Sequence, residues 1–126
     1  MSSGAYQQEI RARLADEVGT IRKDAPDKVA LLYPSPYHVA MSSLGYQTIY
    51  GEINKVPGRA AERAFLPDDV EAHTRAKLPI YTYESLRPVA DFPVIGLSVA
   101  FELELAGVVQ SLKLAGIPPL CRVPSR

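Results

Sequence analysis

Two short stretches of the chain are apolar without a break, Val29-Ala-Leu-Leu-Tyr33 and Val94-Ile-Gly-Leu-Ser-Val99. Neither alternates with polar residues, which is the pattern of a parallel strand covered on both faces. Pro34 and Pro36 end the first run. Beyond them Met41, Leu44, Thr48, Ile49 and Ile53 recur at three- and four-residue steps and predict a helix with one side on a sheet, its first turn capped by Ser42 or Ser43. Residues 61–66 form a less apolar second strand, whose charged members predict an outer position. Asp68 followed by Glu71 reads as a capping box that starts a short helix ending near Lys77. Residues 80–83 read as a brief extended piece and 84–88 as a turn. Leu105, Val108, Val109, Leu112 and Ala115 trace a last helical face, stopped at Gly116. In front of all this, Ile10, Leu14 and Val18 mark an amphipathic helix over residues 7–23, read as an appendage (1–26) to a compact domain (27–126).

The order is strand, helix, strand, helix, strand, helix, with right-handed crossovers expected. In open α/β sheets ligands bind where loops leave the carboxyl ends of strands. That rule directs attention to Pro34, Ser35, Pro36, Tyr37, His38, Met41, Ser42, Ser43 and Gly45 after the first strand, and to Ser98, Phe101 and Glu102 after the last. Residues 120–123 look like the approach to a further strand, so the sheet is expected to be short by some strands and to carry an unpaired edge at residues 94–99. Such an edge favours a homo-oligomer or a partner.

Composition narrows the classes. The chain has 126 residues, enough for one domain, with 47% hydrophobic and 22% charged residues. Fourteen basic residues balance 14 acidic ones, so there is no general electrostatic pull toward nucleic acid or an anionic membrane. The single Cys121 cannot form an internal disulfide or hold an iron–sulfur cluster alone. No signal peptide or membrane-spanning run is apparent, and the cytoplasm is the expected compartment.

Tyr33-Pro-Ser-Pro-Tyr37, Met41-Ser-Ser-Leu-Gly45, Gln47-Thr-Ile-Tyr50, Glu62-Arg-Ala-Phe-Leu-Pro67, Tyr83-Glu-Ser-Leu-Arg-Pro88, Asp91-Phe-Pro-Val-Ile-Gly96, Phe101-Glu-Leu-Glu104 and Leu114-Ala-Gly-Ile-Pro118 follow one another over roughly the last hundred residues. In that order they resemble the N-terminal, cobalamin-binding-like domain of a family of bacterial radical SAM proteins. The resemblance implies an α/β, flavodoxin-like three-layer sandwich with a mainly parallel sheet, apparently truncated here and preceded by the N-terminal helix. It further implies cobalamin as a ligand of the sheet edge and a radical SAM catalytic domain, in cis or in trans, as partner. A [4Fe–4S] cluster and S-adenosylmethionine are implied for that catalytic domain only, since its C-x-x-x-C-x-x-C motif does not occur in this chain.

Base-off cobalamin proteins place an Asp-x-His-x-x-Gly loop after the first strand, the Asp orienting the imidazole. The corresponding window, Pro36-Tyr-His-Val-Ala-Met41, keeps His38 but lacks the Asp and the Gly. His38 therefore reads as a surface or hydrogen-bonding residue. Phosphate-loop, dinucleotide and receiver-domain motifs are absent. Glu84, Glu102 and Glu104 are expected near the carboxyl edge of the sheet, where paired carboxylates can divide acid and base roles. Tyr33, Tyr37, Tyr46 and Tyr50 either cover a flat ligand or pack in the core with their hydroxyls at its boundary, and His73 is expected to be solvated. Three readings result: an accessory ligand-binding or docking domain without catalysis of its own, a small α/β enzyme using loop carboxylates, or a structural domain that has lost cobalamin binding.

Overall fold

The computed structural model describes residues 2–99 and 105–117. Three strands, β1 (Asp27–Pro36), β2 (Arg59–Leu66) and β3 (Val94–Leu97), form a parallel sheet in the order β2-β1-β3. The helices are α1 (Ser3–Ala15), α2 (Tyr37–Ala40), α3 (Leu44–Lys55), α4 (Val70–Arg75) and α5 (Leu105–Leu114). This is an α/β fold, and its strand order is the opening of the flavodoxin-like order. The element succession matches the sequence reading except for α2, one short turn of helix that the reading did not contain.

Because side chains alternate across a strand, the unbroken apolar run of β1 serves two cores at once. Leu31 and Tyr33, with Ala61 and Phe65 of β2, face a layer containing Tyr6 and Ile10 of α1 and Tyr46 and Tyr50 of α3. Ala30, Leu32 and Ala64 face the opposite layer, with Ile80, Val89, Phe92 and Ala115. The N-terminal helix thus supplies buried side chains to the first core. It starts earlier and stops earlier than the periodicity predicts, capped by Ser2 and ended at Ala15, which leaves Val18 fully exposed beyond it.

β1 continues through Pro34 to Pro36, past the expected stop. A register shift between Tyr33 and Pro36 admits the prolines, which a regular ladder would not. Ser43 caps α3, its Oγ accepting from the Tyr46 amide at 3.3 Å. Replacing Ser43 by Ala is expected to cost about 1 kcal/mol, read as a lower denaturant midpoint with unchanged slope.

The buried stripe of α3 is not the predicted one. Tyr46, Tyr50 and Asn54 face the sheet, while Leu44 and Ile49 are exposed. The reason is hydrogen bonding: Tyr46 Oη donates to the Leu31 carbonyl at 2.6 Å, and the Asn54 amide group bonds the Tyr50 carbonyl and both backbone groups of Ala61. Core tyrosines with paired hydroxyls displaced the aliphatic stripe. Ser111 is buried in α5 and Ala115 just beyond its end, with Val109 exposed. Its stop is as read: Gly116 has φ 76°, and the Ile117 amide donates to the Leu112 carbonyl at 2.8 Å, a Schellman closure.

α4 is capped by Asp69, whose Oδ1 accepts from the Ala72 amide at 3.0 Å, and it ends at Arg75. Asp68 instead bonds Arg13 at 2.6 Å. His73 is buried, not solvated; it bonds the Pro79 carbonyl through Nε2 at 2.9 Å and meets the Tyr6 ring edge-on. Residues 94–99, whose pattern predicts a strand covered on both faces, leave Val94 and Leu97 exposed instead. β3 is shorter and, among the described residues, pairs only with β1, leaving its outer edge open. Residues 120–123, the expected further strand, lie outside the described residues, as does Cys121.

Candidate functional site

β1 is the central strand of the three, and its irregular end delivers the chain to the carboxyl edge of the sheet as expected. Pro34 is buried there under α5. A Cβ added at Gly107 would overlap the Pro34 carbonyl oxygen, so this glycine lets the first turn of α5 lie directly on the strand end. Gly45, which the sequence offered for a close approach, faces open space. Ser35 and Pro36 are half-buried, Tyr37 is buried, and His38, Ser42 and Gly45 are exposed. Ser42 Oγ donates to the Val39 carbonyl at 2.6 Å, and the Ser98 amide donates to the Leu32 carbonyl at 3.0 Å. Phe101, Glu102 and Glu104 lie outside the described residues.

From this edge, Tyr37 reaches into a buried polar cluster. Its hydroxyl donates to Glu17, and its ring stacks on Tyr83 with centroids 5.3 Å apart. At the centre lies Arg63, only 2% exposed on β2. Two of its nitrogens grip Glu17 at 2.8 and 2.9 Å, and Nε donates to Glu84 Oε2 at 2.7 Å. Glu84 Oε1 accepts from the Arg63 amide at 2.7 Å, taking the place of a neighbouring strand, while Tyr50 Oη donates to Oε2 at 2.7 Å. The guanidinium also stands 4.9 Å from the Tyr50 ring centre, with Met41 Sδ at 3.7 Å.

The neighbouring Glu62 points to the opposite face and is buried as well, bonded by Thr82 at 2.7 Å and by Ser85. The strand is on the sheet's edge, as its charges implied, but those charges are not solvated. The hairpin over residues 80–89 covers the edge, joined by the Tyr83 amide to the Arg63 carbonyl at 2.8 Å. Tyr33, Tyr37, Tyr46 and Tyr50 all belong to this core.

Electrostatics follow from burial and pairing. Burial alone would raise the Glu17 carboxyl, but hydrogen bonds from Arg63, Thr20 and Tyr37 outweigh it and hold it below its ordinary 4.5. At Glu84 burial wins, and the carboxyl lies above 4.5 despite the charge and hydrogen bonds of Arg63. Burial pushes the Tyr83 hydroxyl up to about 12 against the opposing pull of Arg13, which bonds it at 2.7 Å. The depressed Glu17 contributes stability above pH 4.5 that is lost as pH falls through its folded value, whereas the raised Glu84 acts with the opposite sign. Glu17→Gln is therefore expected to be less stable than the parent at neutral pH, with the gap narrowing below pH 4.5. Thermal melting across that range checks it.

Chemically, both oxygens of Glu84 are occupied in holding Arg63, so the loop-carboxylate reading loses its best-placed acid. Glu84 sits beside the middle of β2 and not at the carboxyl edge. Arg63, Glu17 and Gly107 were not picked out from the sequence; the only signal was a charged pair, Glu62-Arg63, inside an otherwise apolar strand. A histidine-ligated corrinoid does not fit. His38 is exposed beside the Tyr37 ring, and among the described residues no carboxylate hydrogen-bonds it. A [4Fe–4S] cluster does not fit a chain with one cysteine. Among the described residues no group of three or more His, Cys, Asp and Glu side chains is placed to hold a metal ion, and no helix is long and apolar enough to cross a membrane.

In comparison with known proteins, a sequence model of the family described as "Radical SAM proteins, N-terminal" matches residues 45–123. No curated protein and no solved structure matches.

Proposed function

Since the chain belongs to the family of radical SAM protein N-terminal regions, we propose that it is an accessory docking domain for a radical SAM catalytic domain, supplied in cis or in trans. The observation that carries this reading is the outer edge of β3. Val94, Leu97 and Val99 are 54%, 41% and 46% exposed, beside backbone that has no strand partner among the described residues. Flavodoxin-like sheets continue on this side, and an open apolar strand edge pairs readily with another chain. The carboxyl edge adds Val39 and Leu44, both exposed. Radical chemistry then belongs to the partner, which brings the cysteine motif, while this chain contributes a rigid face set by the Arg63 cluster.

The test is sedimentation of the purified chain with a radical SAM chain from the same source that carries the C-x-x-x-C-x-x-C motif. A defined complex is expected, weakened by Leu97→Lys, which blunts the edge with charge. Absence of a complex, or one indifferent to Leu97→Lys, contradicts the docking face. Titration with hydroxocobalamin tests the ligand-binding alternative: a saturable change in the corrinoid spectrum, abolished by substitution at Tyr37 or Met41, would reassign the carboxyl edge to a corrinoid.

A further inference from the structure

On one face of the sheet α1 and α3 cover β1 and β2, and β3 extends beyond them. Neighbours in a parallel ladder share a face. Val94 is in register with Val29 and Gly96 with Leu31, so both belong to the α3 side, whereas Ile95 packs into the opposite core. Gly96 lies close enough to Leu31 that an added Cβ would stand 3.1 Å from Leu31 Cδ2. Val94 is exposed beside it, so β3 is covered on one face and bare on the other.

The wall of this bare strip is one flank of α3. Ile49, Ile53 and Val56 follow at steps of four and three, which puts them on one side of the helix. Gln47 and Gly51 lie on the other side, where they line a small cavity with Glu17 and Arg63. Ile49 and Val56 are exposed. Toward the amino end of the sheet, Val29, Ile53, Pro93 and Val94 border a cavity of about 400 Å³ whose mouth carries Asp27, Lys28 and Arg59. Lys28 is engaged by Asp24 and Glu62, while among the described residues neither Asp27 nor Arg59 is in an ion pair.

We propose that the groove between α3 and β3 seats an amphipathic helix of the radical SAM catalytic chain, parallel to α3. The inference rests on the docking reading above. A chain that pairs with the outer edge of β3 adds a strand whose face on the α3 side must be covered too, and one helix over the junction covers both strands. An extended segment laid across these side chains would leave its backbone groups unpaired under cover, whereas a helix pairs its own. Charge sets the direction. Where α3 ends, Lys23 Nζ donates to the carbonyls of Asn54 and Val56 at 2.8 and 2.9 Å. Arg59, at the same end of the groove, takes the corresponding place for a second helix ending there, and Asp27 meets a basic side chain of its last turn.

Photo-crosslinking in the complex with the radical SAM chain tests this, with a benzophenone side chain in place of Ile49 or of Val56 in the whole chain. The two positions are about 10 Å apart along α3. A parallel helix in the groove gives crosslinks to partner residues about seven apart, the site reached from Ile49 lying N-terminal to the one reached from Val56, whereas an extended segment gives sites about three apart. Ile49→Glu is expected to weaken the complex at least about tenfold, because it sets a charge against the apolar face of the helix. Thr48→Glu, on the solvent side of α3, should leave it unchanged. Both positions are exposed, so both variants keep the fold. A complex weakened by Leu97→Lys yet indifferent to Ile49→Glu would overturn the helix in the groove and leave docking at the strand edge in place; absence of any complex would overturn both. Crosslinks to a second copy of this chain, in the reverse order, or about three residues apart would likewise overturn the proposal.

Discussion

Arg63→Met will lower the free energy of unfolding by about 3–5 kcal/mol, the scale set by removing one partner of a buried charge cluster. Folded domains hold only about 5–15 kcal/mol in all. The variant is thus expected to be largely unfolded on modest warming. The loss comes less from the interactions of Arg63 than from what remains: two carboxylates, Glu17 and Glu84, with side chains 7% and 3% exposed and no counter-charge between them. Neutralising them in the same chain, as Glu17→Gln with Glu84→Gln and Arg63→Met, should recover a substantial part of the loss, because amides tolerate burial where carboxylates do not. Urea unfolding of the single and triple variants provides the comparison. A single variant within about 1 kcal/mol of the parent would show that water reaches the cluster and screens it.

The second large effect is expected at Gly107. Alanine there should destabilise by about 1–3 kcal/mol through overpacking, since its Cβ would overlap the Pro34 carbonyl oxygen and a backbone oxygen in a sheet cannot swing aside. Helix propensity works the other way by about 0.8–1 kcal/mol, and the clash outweighs it. Gly51 in α3 is the control. An added Cβ there meets nothing within 4 Å, so Gly51→Ala should raise stability by about the propensity difference. Opposite signs for two glycine-to-alanine changes in helices would place the close approach at α5. Equal gains would mean that α5 does not rest on the end of β1.

The centre of the sheet was legible in the sequence because β1 is buried on both faces: an unbroken run such as Val29 to Tyr33 has few other uses in a chain of this composition. Helix order and the Gly116 stop were legible for similar reasons of local chemistry. The facing of α3 was not, because hydropathy ranks Leu44 and Ile49 above Tyr46 and Tyr50 and cannot register that the tyrosine hydroxyls find buried partners at Leu31, Ile21 and Glu84. The same blindness hid the Arg63 cluster. Its members come from residues 17, 37, 50, 63 and 84, and no spacing rule joins positions so far apart along the chain. Charges in β2 were read as the mark of an outer strand, which it is, but nothing in the sequence showed that residues 80–89 return to cover them. His73 went the same way, because a polar helix on paper packs its histidine under Tyr6.

The docking reading depends most on β3. The Ser98 amide points to Leu32, so the two-residue alternation of a strand turns the amides of Ile95 and Leu97 to the outer edge. Residue-resolved hydrogen exchange of these two amides, in the chain alone and with the radical SAM chain added, tests this directly. The account predicts rapid exchange for both in the chain alone and marked slowing in the complex, with the β1 amides slow throughout. Amides of Ile95 and Leu97 already as slow as those of β1, or unchanged when the complex forms, would contradict it.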